Sequence, residues 1–228
     1  MFVSLLIKKK PLAAIGAVVI IVVIFSGVFA PLLTPYDYDA ISPAERLESP
    51  SLKHPLGTDD YGRDVYTRML YGARVSIMVG ASSIFIATFW GVLLGTVSGY
   101  KKGLIGDLIM RCMDGMLAFP LMILAIALVA ALGPGVINAI IAIGVAYIPN
   151  LARITRSAVI LECEQEYVEA SRAIGASDFR IMFIQILPNC LAPVIVESTI
   201  CLAFAILIES NLSFLGMGVQ PPVPSWGN

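Results

Sequence analysis

The chain has 228 residues, of which 58% are apolar and 14% charged. A soluble domain is roughly half apolar and about a quarter charged, so the composition excludes one. A formal net charge of −1 offers no field for nucleic acid, and four cysteines without C-x-x-C spacing suggest neither a disulfide framework nor a zinc site.

A helix needs about 20 mostly apolar residues to cross the hydrocarbon core. Residues 12–33 carry no charge and form the first expected span. Its basic cluster begins only at Lys8, and Pro31 follows Ala30, which argues against a cleaved signal peptide. A polar segment, 34–74, comes next. In it His54, the only histidine, reads as an ordinary loop residue rather than a metal ligand. Thr58-Asp59 reads as a helix cap and Asp64 with Arg68 as an i, i+4 pair. Val65, Met69 and Leu70 share one face of a helix expected to rest on the membrane surface.

The second expected span, 75–99, is punctuated by Gly80, Gly91, Gly95 and Gly99. Residues 115–152 are uncharged over roughly twice a spanning length. Gly133-Pro134-Gly135 cannot continue a helix, so they divide into spans at 115–132 and 135–152. The fifth span, 190–208, contains Glu197. A carboxylate inside a membrane is costly and functional by default. Glu197 therefore lines a translocation path, pairs with a neighbouring subunit, or sits protonated near an interface. Glu209, at the end of the same helix, is expected within reach of water. It is a second candidate for the path, or bonds the backbone of the turn from Asn211 to Gly216. Cys112, Cys163, Cys190 and Cys201 read as small apolar fillers.

Orientation follows from the basic residues of short loops. With the N-terminus in the cytoplasm, inside segments hold Lys8, Lys9, Lys10, Lys101, Lys102, Arg111, Arg153, Arg156, Arg172 and Arg180. Outside segments hold Arg46, Lys53, Arg63, Arg68 and Arg74, a bias of roughly two to one.

On this topology 153–188 is cytoplasmic, and it is the one long polar helical pattern between two membrane-grade segments. Residues 161–174 are good helix formers. Glu162, Glu166 and Glu169 share one face, and Tyr167, Ala170 and Ile174 make a second, apolar face. Gly175 suits the left-handed residue that ends a helix. Ser177 can cap a second helix, 178–187, which Pro188 closes before the last span. The spacing alone describes an amphipathic element; a solvated or lipid-lying loop would look the same.

Glu169-Ala170-Ser171, Gly175 and Leu187-Pro188 resemble the EAA loop of permease subunits of binding-protein-dependent ABC importers. Ser171 stands where the family usually has Ala, and Gln185 where Ile is usual. His54-Pro55-Leu56-Gly57-Thr58-Asp59, Gly62-Arg63-Asp64 and Tyr71-Gly72-Ala73-Arg74-Val75-Ser76 resemble the outer loop of the dipeptide/oligopeptide/nickel permeases. Glu209-Ser210-Asn211-Leu212-Ser213-Phe214-Leu215-Gly216, Pro221-Pro222 and Pro224-Ser225-Trp226-Gly227 resemble the segment after that family's fifth span. The chain is most similar to the second, C-type, permease of such systems.

The resemblance implies an all-α polytopic membrane protein of the type I ABC importer permease fold, in the inner membrane of a bacterium or archaeon. It implies a sixth span after Pro-Ser-Trp-Gly; ending at Asn228, the chain is expected to lack that span and to place its C-terminus outside. It implies no enzymatic activity, a heterodimer with a second permease, one or two ATP-binding subunits, and an extracytoplasmic solute-binding protein. Glu166, Glu169, Ala170, Ser171, Gly175, Leu187 and Pro188 would form the coupling element that lies in a groove of the ATPase. ATP and Mg would be bound there: the chain has no G-x-x-x-x-G-K-[ST] phosphate loop. Peptides, glutathione-like molecules and nickel chelates are all cargoes of relatives. A secondary transporter with broken helices in two repeated halves is the alternative, but no internal repeat supports it. No H-E-x-x-H or G-x-S-x-G supports a membrane enzyme.

The topology has a direct check. In a background lacking the native cysteines, Ser51→Cys should be labelled from outside intact cells by a membrane-impermeant thiol reagent, and Ser177→Cys should not. The reverse pattern would invert the assignment.

Overall fold

The computed structural model describes residues 11–101 and 103–228. The Lys8, Lys9 and Lys10 cluster and Lys102, part of the orientation argument, lie outside the described residues. Helix α1 is Pro11–Val28, followed by a single turn, Ala30–Leu33. Then come α2, Val65–Tyr100; α3, Leu104–Leu117; α4, Leu121–Leu132; α5, Val136–Glu162; and the short α6, Glu166–Ala173. A π-helical stretch, Arg180–Ile186, leads directly into α7, Leu187–Phe214. Among the described residues β-pairing is limited to one isolated bridge between Thr58 and Asp64.

Four helices are long and apolar enough to span: Pro11–Val28, Val65–Tyr100, Val136–Glu162 and Asp178–Phe214. The pair α3 and α4 makes a fifth if taken as one span, bent by 92° at its break. The expected straight span at 115–132 is thus divided at Pro120. At 1.5 Å per residue, the 12 residues of α4 cover about 18 Å, short of the roughly 30 Å core. The expected loop before it is helical as well. In α3, Gly106, Met110 and Met113 are buried, while Asp114 meets Arg153 at 2.6 Å and Asp107 meets Arg156 at 3.9 Å.

The chain divides into two compact units, residues up to 78 with 219–228, and residues 79–218. In the first, the polar segment is organised by Asp64. Its Oδ2 accepts hydrogen bonds from the N–H and the hydroxyl of Thr67, both at 2.7 Å, which caps the start of α2. Its Oδ1 lies 2.9 Å from His54 Nδ1. Asp64 is acting as an acceptor, so Nδ1 carries the proton. The imidazole is buried, stacks on Tyr36 at 5.1 Å, and holds Nε2 3.5 Å from Glu45 Oε2; Glu45 is in turn paired with Lys53. Thr67 Oγ1 meets Thr34 Oγ1 at 2.5 Å.

Four expectations for this segment are corrected. The cap is Asp64, not Thr58-Asp59. Asp59 instead folds a turn: its Oδ1 accepts from the N–H groups of Tyr61 and Arg63, and its Oδ2 from Arg63 Nε at 2.7 Å. Those bonds hold the Asp59 carboxyl below its usual range against the opposing effect of burial, which is the largest single influence. Arg68 approaches Asp59, at 3.8 Å, rather than Asp64, whose oxygens are already occupied. Finally, 65–70 is the first part of the 36-residue α2 and not a separate surface helix. His54 is likewise no ordinary loop residue but the buried partner of the cap. At the other end of the unit, Trp226 Nε1 donates to Met69 O at 3.2 Å and Trp226 N–H to Ser76 Oγ at 3.2 Å.

In the second unit the backbone of α2 lies directly against α5. A Cβ placed on Gly91, Gly95 or Gly99 would fall 2.6 Å from Leu151 Cβ, 2.5 Å from Thr155 Cβ and 2.9 Å from Val159 Cβ. Small residues at this spacing let helices approach closely where lipid supplies no hydrophobic drive.

Asp64→Ala removes a helix cap, worth about 1 kcal/mol, and strands the buried His54 Nδ1–H, at a cost of roughly 1–3 kcal/mol. Thermal unfolding in detergent should show a clear loss of stability, while Asp60→Ala, at an exposed neighbour, should stay within about 0.5 kcal/mol of wild type. Equal stability of the two variants would refute the clasp.

Candidate functional site

Helix α5 continues through the expected end of its span to Glu162, and a turn at 163–165 separates it from α6. The expected single helix over 161–174 is therefore two, and Glu162 does not share a helix with Glu166 and Glu169. An eight-residue helix has little stability of its own; α6 is held by what it buries. Val168 and Ser171, three residues apart, face inward. Val168 enters a cluster with Val159, Cys163, Ile181, Ile186 and Cys190, against which Tyr100, Ala158 and Ala176 also pack. Cys163, Cys190 and Cys201 are buried fillers as expected, whereas Cys112 is exposed.

The expected apolar face of Tyr167, Ala170 and Ile174 is the one turned outward. Ile174 is 84% exposed and Tyr167 36%; Glu166, Glu169 and Ala170 are exposed beside them. The reason is the entry turn: it rotates α6 so that the β-branched Val168, not Tyr167, meets the cluster. The outward face thus mixes acid with bare apolar surface.

Both ends of α6 are tied. Tyr167 Oη donates to Glu162 Oε1 at 2.7 Å and accepts from Asn189 Nδ2 at 3.2 Å. Partial burial first, and the Glu162 carboxylate after it, push the Tyr167 hydroxyl up to about 12, against an opposing effect of Asn189; it remains a donor at neutral pH. At the other end, Gly175 N–H bonds Arg172 O and Ala176 N–H bonds Ser171 O, each at 3.0 Å. That pair of bonds requires a left-handed residue, and Gly175 sits at φ +78 with nothing within 4 Å of where a Cβ would be. Beyond it, Asp178 accepts from Tyr100 Oη at 2.9 Å and from Lys101 Nζ at 2.7 Å. Arg172 lies over the Tyr100 ring at 5.3 Å.

Pro188 does not close the second helix, which runs unbroken from Asp178 to Phe214. Proline lacks an N–H and crowds the carbonyl four residues earlier. Here the helix widens instead: Leu187 N–H reaches back five residues to Met182 O, and Asn189 Nδ2 donates to Gln185 O at 3.1 Å. The expected cap at Ser177 is marked by its carbonyl, which accepts from Ile181 N–H at 3.0 Å. Leu187 is half-buried and Pro188 exposed.

Glu197 and Glu209 do not join this site. They lie twelve residues apart on α7, about 18 Å along its axis. Glu197 is half-buried, with Cys201 Sγ–H directed at its Oε1 from 3.6 Å. Glu209 is fully buried rather than within reach of water, and its Oε1 accepts from Ser213 Oγ at 2.7 Å. Among the described residues no group of three or more His, Cys, Asp or Glu could hold a metal ion. Sequence reading missed Val168, Tyr100, Asp178 and Asn189. The signal for Asp178 was an acid in the first turn after a glycine break; Tyr100 and Asn189 carried none.

Residues 91–228 match the family described as binding-protein-dependent transport system inner membrane component, and residues 6–50 the N-terminal transmembrane domain of oligopeptide transport permease C. The di/tripeptide transport system permease of Pseudomonas aeruginosa is 45% identical over 218 residues, covering 93% of this chain and 72% of that protein. The dipeptide transport system permease of Alkalihalophilus pseudofirmus is 47% identical over 221 residues, covering 97% and 73%. The inward-facing structure of the MetNI methionine ABC transporter matches with a TM-score of 0.57 at 22% identity, over 65% of this chain and 74% of that one; this likeness shows the fold.

Proposed function

The chain belongs to the binding-protein-dependent transport system inner membrane components, and from that membership we propose that α6 is the element through which a separate ATPase drives transport of small peptides or related solutes. Membership makes the chain a multi-pass inner-membrane permease that acts with other subunits. The specific assembly we propose is a heterodimer with a second permease, one or two ATP-binding subunits that hold ATP and Mg, and an extracytoplasmic solute-binding protein. The N-terminus and α6 lie on the cytoplasmic side in this reading.

The observation that carries it is the division of α6 into two faces. Val168 locks one face into the cluster, while Glu166, Glu169, Ala170 and Ile174 stand outside it. An eight-residue helix with two exposed carboxylates in its first turn and a bare apolar residue as large as Ile174 at its C-terminal end presents a surface suited to being covered. Ala170 permits close approach, and Glu169 supplies a charge at the rim of a partner's groove. Ser171, the departure from the family's usual Ala, is turned inward and so does not alter that surface. The peptide cargo rests on two relatives described as di/tripeptide and dipeptide permeases.

Glu169→Lys places a cation where the groove expects an acid, and an unmatched interfacial charge commonly costs a few kcal/mol. Gly175→Val forces a β-branched residue to φ +78, a strain of roughly 1–2 kcal/mol. Gly175→Asn tolerates that conformation. In membranes carrying the whole importer, the first two variants should reach normal levels, lose at least tenfold in co-purified ATPase subunit, and lose uptake of labelled dipeptide; Gly175→Asn should retain most of both. Wild-type ATPase recovery and uptake in Glu169→Lys and Gly175→Val would make α6 an inert loop.

A further inference from the structure

We infer that Asp178, Tyr100 and Arg172 form a latch that carries displacement of α6 into α2. This rests on the reading of α6 as the ATPase-facing element. The covalent route out of α6 is poor at its C-terminal end. Gly175 is left-handed, has open space around it, and is followed by two non-helical residues. A glycine joint of this kind gives way under load instead of passing it on.

The side chains bridge that joint. Arg172 lies before it and Asp178 after it, and both converge on the end of α2. The guanidinium covers the Tyr100 ring at 5.3 Å. The Tyr100 hydroxyl and the Lys101 ammonium hold the two oxygens of Asp178 at 2.9 and 2.7 Å. The Asp178 hydrogen bond, and then its charge, raise the Lys101 amine above its ordinary value, so the pair stays ionic. Beyond Tyr100 the path is stiff, because at Gly99, Gly95 and Gly91 the backbone of α2 lies directly against the backbone and the Cβ atoms of Leu151, Thr155 and Val159 of α5. A push on α6 therefore reaches the α2–α5 pair as well as its covalent neighbours.

Asp178 and Lys101 are about half exposed, and such pairs contribute little to folding. That separates a positioning role from a structural one. Asp178→Asn and Tyr100→Phe should leave membrane level, melting temperature and ATPase co-purification at wild-type values. The number of substrate molecules moved per ATP hydrolysed should fall at least fivefold, and Asp178→Glu should restore part of it. Glu169→Lys, measured alongside, should instead shed the ATPase. Wild-type stoichiometry in Asp178→Asn and Tyr100→Phe, with Glu169→Lys still shedding the ATPase, overturns the latch and leaves the reading of α6 standing. Loss of ATPase binding in the latch variants also overturns it, since these residues would then serve docking. Retention of the ATPase by Glu169→Lys removes the reading itself.

Discussion

A methyl group on Gly91, Gly95 or Gly99 would lie within 3 Å of α5, so the backbone of α2 reaches α5 only because those side chains are absent. This seam places the last turn of α2 beside Val159 near the end of α5, and Tyr100 packs against the cluster that receives Val168. This is one of two walls on which the short helix rests. Burying a valine side chain contributes roughly 1.5–3 kcal/mol, less than the backbone ordering of eight residues costs at about 1–2 kcal/mol each, so α6 depends on its end ties as well as on a receiving surface that is already fixed. Spreading the seam would withdraw the floor of the cluster and the anchor of the latch together.

The second fixed wall is the start of the last spanning helix, and it exists because Pro188 fails to stop that helix. By widening to i→i−5 bonding, the stretch Arg180–Ile186 keeps its backbone satisfied through the proline, and Ile181 and Ile186 are both turned into the cluster. A straight α-helix would carry them around the axis at 100° per residue; the wider turn changes that register. The polar side chain of Asn189 then takes up a freed carbonyl and reaches Tyr167 as well. One departure from regular helix thus serves backbone bonding, packing and the N-terminal tie of α6.

What the sequence made legible was set by long-range composition. Apolar length located the membrane helices, and the charge-free glycine pattern of α2 was visible before its role was. The break at Gly175 was legible because few residues accept φ near +78. What stayed hidden depended on tertiary rotation or on a choice between equivalent groups. Tyr167, Ala170 and Ile174 have the periodicity of a buried face, but the turn at 163–165 decides which face meets the cluster, and periodicity carries no phase. Asp59 and Asp64 are both acids near a helix start; His54 and Thr67 select Asp64. The bend at Pro120 was masked because residues on both sides of it are apolar. Glu209 looked accessible by its distance along the chain from the membrane centre, whereas packing removes it from water.

Helices α6 and α7 end by the same local device, and the contrast shows how surroundings assign it a role. After α7, Gly216 at φ +73 lets Met217 N–H bond Leu212 O at 2.8 Å, as Gly175 lets Ala176 bond Ser171. At Gly216 the chain is then pinned. Gly218 N–H returns to the same Leu212 carbonyl at 3.0 Å, and a Cβ on Gly218 would fall 2.4 Å from Ser213 Oγ, the hydroxyl that also binds the buried Glu209. At Gly175 the chain leaves into 176–177, where Ala176 packs on the cluster, and its next polar hold is at Asp178, by side chains at the end of another helix. Backbone bonds and steric contact make the first turn a fixed stop. A joint spanned by an ion pair and a ring contact can move as far as those contacts allow, which fits the proposed role of α6 as the element on which a separate ATPase acts.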